Sequence, residues 1–96
     1  MILGKVLGNV VSTQKDENLQ GFKLQIVQPL NPSNLEPMGA PIVAVDTSGA
    51  GCNDLVMVVS GSSARQTKQT RTAPVDMAIV AIVDSVEIEG KRVYGK

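Results

Sequence analysis

Residues 43–65 read VAVDTSGAGCNDLVMVVSGSSAR, and the fold turns on them. Two valine-rich runs, 43–45 and 55–59, flank the glycine loop Gly49-Ala50-Gly51. Gly61 follows, and Ser62 or Ser63 can cap a brief helix over 64–67. A glycine loop beside a strand can cradle a phosphate. It can also be a tight corner in a small barrel, with positive φ at Gly49, Gly51 or Asn53.

Working outward, residues 2–13 form a Val- and Leu-rich strand interrupted by Gly4 and Gly8, where it is expected to bend. A polar loop covers 12–21, and a second strand covers 22–28 with Phe22, Leu24 and Ile26 on one face. Residues 29–41 hold four of the five prolines and read as a loop, because proline cannot donate to a sheet ladder. Residues 42–46 and 55–60 are the third and fourth strands. Residues 75–83, apolar on both faces, are a central fifth strand that ends at Asp84 and Ser85. Residues 86–94 read as a hairpin with Glu89-Gly90 at its tip. The expectation is an all-β chain, one domain over 1–96: a five-stranded, OB-like barrel with one short helix and a C-terminal hairpin. The helix falls after the fourth strand, whereas OB barrels normally carry theirs between the third and fourth.

Composition agrees. The 96 residues include fourteen valines and six isoleucines, while Phe22 and Tyr94 are the only aromatics. β-branched side chains suit a pleated sheet. A chain of this length buries only about 60–65% of its unfolded surface, so association with other copies is a common source of stability. Nine basic and nine acidic residues cancel, which leaves no long-range field to gather polyanions or anionic lipid. The longest apolar run, 77–83, is far too short to span a bilayer, and no signal-peptide pattern is present. Cys52 is the single cysteine. A reduced, cytosolic setting is expected.

The chemistry that the motifs could support is limited. Residues 49–54, GAGCND, begin like G-x-G-x-x-G but end on Asp, and a strand follows where the dinucleotide fingerprint needs a helix. A P-loop needs a lysine that this loop lacks. The chain has no histidine, so neither a Ser-His-Asp arrangement nor the usual zinc ligand sets can form. Asp76 and Asp84 flank the fifth strand, roughly 26 Å apart if it is straight, too far for an acid–base pair. Their plainer role is hydrogen bonding at strand ends. The basic cluster Arg65, Lys68 and Arg71 contains no acid and suits a partner or small anion as well as solvent. Single-stranded nucleic acid, which OB-like barrels often bind, needs aromatic stacking platforms that are scarce here. No catalytic residue, cofactor or metal site is assigned. An OB-type nucleic-acid module and a stand-alone enzyme or ligand binder remain as alternatives.

Taken together, certain residues resemble a known family. They are Lys5-Val6 and Gly8, residues 11–15 (VSTQK), Lys23-Leu24, Val27-Gln28, Val45-Asp46, Gly49-Ala50-Gly51, residues 61–65 (GSSAR), Pro74-Val75-Asp76 and residues 82–86 (IVDSV). The pattern is similar to the EutN/CcmL family, the pentameric vertex proteins of bacterial microcompartments, over nearly the whole chain. Asn53-Asp54 departs from the Gly-Glu or Gly-Asp of many members, but Asn tolerates the left-handed turn. The tail EIEGKRVYGK resembles carboxysomal members. The resemblance implies a non-catalytic shell protein: a ring of five OB-like barrels at a polyhedral vertex, with hexameric shell proteins as neighbours and itself as first partner. It implies no nucleic acid and no membrane. On this reading Asp46, Gly49, Ala50, Gly51, Asn53, Asp76, Asp84 and Tyr94 are expected at subunit contacts. Arg65, Lys68 and Arg71 are expected to face shell partners.

Overall fold

The computed structural model describes residues 1–11, 22–61 and 76–95. Five strands close a barrel: β1 (Ile2–Val10), β2 (Lys23–Pro29), β3 (Ile42–Asp46), β4 (Leu55–Ser60) and β5 (Met77–Ile82), in the order β1-β2-β3-β5-β4. Neighbouring strands are antiparallel except β3 and β5, which run parallel over two pairs, Val45↔Ala78 and Asp46↔Ile79. Closure leaves the barrel no free edge. The all-β, OB-like architecture expected from the sequence is therefore what the chain adopts. The expected helix over 64–67 lies outside the described residues, together with Arg65, Lys68 and Arg71. Among the described residues there is no α-helix, and Gly61 alone carries a 3-10 conformation.

The interior is narrow, and small side chains fill it. Val6, Val27, Ala44, Ala50, Val56, Val58 and Ile79 form one buried cluster. Each fully buried valine contributes roughly 1.5–2 kcal/mol of apolar transfer free energy. Gly4 sits where β1 pairs both Pro29 of β2 and Val56 of β4. A Cβ there would collide with Val27 Cγ1 and lie 3.1 Å from the Gln28 carbonyl oxygen. Gly4 thus serves close strand approach, and the expected bend comes at the bulge between Val6 and Gly8. The bulge also reverses which β1 side chains point inward.

On β2 the fully buried face is Gln25, Val27 and Pro29. Phe22 and Leu24 share a face as expected, but it is the outer one, where they pack over Val45, Ala78 and Val59. Pro29 ends the strand instead of opening a loop. Its carbonyl accepts from Met38 N at 2.9 Å, a bond that does not need the missing proline N–H.

Beyond the barrel, β6 (Ser85–Ile88) and β7 (Lys91–Gly95) form a separate two-stranded sheet. Its tip is Glu89-Gly90, with φ of 52° and 79°, as the sequence predicts. Two successive positive φ values give the primed turn that matches strand twist.

Candidate functional site

Asp46, at the end of β3, organises the glycine loop. Its carboxylate accepts from the backbone N–H of Ser48 at 2.7 Å, Gly49 at 3.1 Å and Ala50 at 2.7 Å. Buried Gln25 reaches up from β2 and donates through Nε2 to Asp46 Oδ2 at 3.2 Å and to the Ala50 carbonyl at 2.7 Å. Gly49 supplies a φ of 78° and Asn53 one of 73°, which lets the loop curl over the carboxylate. Three further N–H groups are also taken. Gly51 N bonds to Asp54 Oδ2 at 2.8 Å, Asn53 N to the Val6 carbonyl at 2.8 Å and Asp54 N to the Gly51 carbonyl at 3.1 Å.

This arrangement decides the phosphate question. A phosphate cradle presents free N–H groups to an incoming anion. Here the concave run of N–H groups already surrounds the chain's own carboxylate. A phosphate would have to displace a buried aspartate and would meet its charge. The loop is a locked corner, and Ala50 pins it into the barrel core.

The residues expected at subunit contacts separate into groups. Asp46 and Ala50 are buried within the chain, so any contribution they make passes through the shape of the loop. Gly49, Gly51 and Asn53 are exposed on the loop surface. Asp76 and Asp84, also exposed, lie beyond opposite ends of β5 and do not come together.

Asn53 and Tyr94, distant in sequence, meet in one cleft. Its volume is about 450 Å³. The walls are Lys5 and Leu7 of β1, Leu55 of β4, and Leu30, Leu35 and Pro37 of the loop after β2. From sequence that loop reads as a segment rich in proline with two asparagines, and no site is expected in it. Two asparagines build it: Asn31 Oδ1 accepts from Ser33 N at 2.9 Å, and Asn34 Oδ1 from Glu36 N at 2.9 Å. Directly after Asn34, Leu35 is held at φ 61°, with its N–H donating to the Asn31 carbonyl at 2.7 Å. A left-handed leucine costs about 1–2 kcal/mol of backbone strain. The asparagine spacing was visible in the sequence, but the partners that complete the cleft come from three other elements.

A smaller hollow of about 270 Å³ is lined by Gly8, Asn9, Lys23, Gln25, Gly51 and Cys52. Cys52 is exposed, and its thiol donates weakly to the Leu7 carbonyl at 3.5 Å. Among the described residues, no group of three or more His, Cys, Asp or Glu could hold a metal ion, and no helix is long and apolar enough to cross a membrane. The site's physical resources are therefore an apolar cleft, a locked polar corner and a projecting hairpin. These are means of packing against a surface.

Comparison with known proteins leads the same way. The family model described as "Ethanolamine utilisation protein EutN/carboxysome" matches residues 1–84. The microcompartment shell vertex protein GrpN of Rhodospirillum rubrum is 51% identical over 87 residues, covering 91% of this chain and 97% of GrpN. The carboxysome shell vertex protein CcmL of Synechococcus elongatus is 41% identical, covering 100% of this chain and 96% of that one. Among solved structures, CcmL of Gloeobacter violaceus superposes with a TM-score of 0.92 at 34% identity, covering 100% of this chain and 98% of its own. The R. rubrum structure described as the GrpN pentameric microcompartment shell protein has a TM-score of 0.80 at 50% identity, covering 91% of this chain and 98% of its own.

Proposed function

The chain belongs to the EutN/CcmL family, and on that premise we propose that it is a non-enzymatic shell protein, a homopentamer that caps the vertices of a polyhedral microcompartment in the cytoplasm. The observation that carries this reading is the half-identical pentameric GrpN, which matches almost from end to end. The locked loop supports it, because the N–H groups of Ser48, Gly49 and Ala50 that a phosphate would need already bind Asp46. Hexagonal tiles alone make a flat sheet, and pentagons introduce the curvature that closes it. The partners are therefore four further copies of the chain and hexameric facet proteins. Its sequence, 1–96, serves as a single vertex domain. Nucleic acid is not a partner on this reading. Phe22 is half-buried in the outer cluster and Tyr94 lines the cleft, so the described residues offer no row of stacking platforms.

A closed ring of five is a heterologous contact, repeated. The exposed loop residues Gly49, Gly51 and Asn53, the strand-flanking Asp76 and Asp84, and Tyr94 of the hairpin supply part of that contact in this account. Arg65, Lys68 and Arg71 pair with charges on neighbouring hexamers. The test is coexpression with a facet-forming hexameric shell protein, followed by electron microscopy. Closed polyhedra that depend on this chain are expected. Equally open sheets or tubes with and without it would defeat the vertex reading. Reversing the charge of Arg65 and Arg71 together should leave the pentamer intact and reduce capping; unchanged capping removes the basic patch from the account.

A further inference from the structure

We propose that the cleft beside β1 is the socket for the next copy of the chain, and that the outer face of β3, with Val43 at its centre, is the plug. The proposal rests on the five-membered ring above and assigns its two contacting surfaces. A heterologous ring needs two different patches on every subunit, facing different neighbours. Among the described residues of the barrel strands, two large apolar side chains stand exposed: Leu7 at 47% and Val43 at 50%. Leu7 lines the cleft on β1. Val43 lies on β3 and pairs with half-buried Ile26 of β2, which extends its apolar surface. Strand β2 separates the two patches, so they point in different directions around the barrel, as a ring requires.

The cleft also has room for an apolar plug. The cleft is concave and of a volume to receive several aliphatic groups, about 450 Å³. Val43 projects from a convex barrel wall, and β-branched side chains give such a wall a rigid relief. Leu35 adds a separate argument. The loop holds it in a left-handed conformation and sets its side chain in the cleft wall. Strained backbone persists where the surroundings over-determine it, and such positions cluster at functional surfaces. Here the strain presents a leucine to an apolar cleft that the chain itself leaves open.

The experiment uses the full chain carrying Cys52→Ser. Two differently tagged versions are coexpressed, one with Val43→Cys and the other with Leu35→Cys, and treated with a short bismaleimide. Pairing of unlike chains should exceed pairing of Val43→Cys chains with one another by at least about five-fold, since a heterologous contact never places a residue against itself. Val43→Asp, at a half-exposed site, should keep the far-UV circular dichroism of the parent and raise the concentration for half-assembly by about ten-fold or more, because it places a carboxylate in an apolar socket. Val43→Ile should retain assembly. A five-fold mass for the Cys52→Ser parent with no excess of unlike pairs would overturn the assignment and leave the ring standing. A monomeric parent would overturn the ring itself, and this pairing with it.

Discussion

Two connections of the barrel that lie wholly among the described residues, 47–54 after β3 and 30–41 after β2, are built on opposite plans. The first is turned inward: its N–H groups bind Asp46, Asp54 and the Val6 carbonyl, and Ala50 sits in the core. The second is turned outward, and two asparagines aim Leu35 at an open apolar cleft. Both are tied to β1, through Asn53 N to Val6 O and through Leu30 N to Leu3 O at 2.8 Å each. The glycine-rich segment, conspicuous in sequence, stabilises one subunit. The proline-rich segment, inconspicuous in sequence, shapes the cleft that is proposed to meet another. Glycines show where a backbone turns sharply, and they do not show whether the resulting N–H groups are free.

Substitutions can break this contrast, and the inward loop should respond most. Asp46→Ala removes the acceptor for three backbone N–H groups and the Gln25 amide. Urea unfolding at fixed subunit concentration should show a loss of about 3–4 kcal/mol, a melting point lower by roughly 15 °C or more. A loss below about 1 kcal/mol would mean the loop holds its shape without the carboxylate. Next is Gly4→Ala, which strikes the strand both loops share. The new methyl collides with Val27 Cγ1, and about 2–3 kcal/mol of destabilisation is expected in the same assay.

The outward loop should separate folding from assembly. Leu35→Gly removes the left-handed strain and also part of the cleft wall. The stability of the single subunit should stay within about 1 kcal/mol of the parent. The midpoint of assembly, read by sedimentation across a dilution series, should rise about ten-fold, equivalent to ~1.4 kcal/mol. Unchanged assembly would return Leu35 to a purely local role. Gly51 gives the smallest effect on folding. A Cβ there meets only Asp54 Oδ2, at 3.7 Å, so Gly51→Ala should shift stability by less than about 0.5 kcal/mol. If Gly51 touches a neighbouring subunit, valine at Gly49 or Gly51 disrupts the pentamer; intact pentamers from both valine variants would place the loop surface outside the contact.

Much of the fold was legible in the sequence. Val- and Ile-rich runs between turn residues marked all five barrel strands, and Glu89-Gly90 marked the hairpin tip. Side-chain direction was harder to read. Gln25 looks like an outward residue between Leu24 and Ile26, yet it points into the barrel because Asp46 and the Ala50 carbonyl satisfy its amide there. The parallel pairing of β3 with β5 was not legible either, since it joins segments far apart in the chain. The cleft escaped for the same reason: Lys5, Leu35, Leu55 and Tyr94 carry no shared local pattern. Of the residues expected at contacts, Asn53 and Tyr94 were in fact brought together, while Asp46 and Ala50 owed their prominence to the interior of the subunit.

The central claim is that one small barrel completes itself as a ring of five. Native mass spectrometry of the purified chain at micromolar concentration tests it most directly. The account predicts a dominant species at five times the 10.1 kDa subunit mass. A dominant monomer at that concentration, in a sample with native circular dichroism, would contradict it.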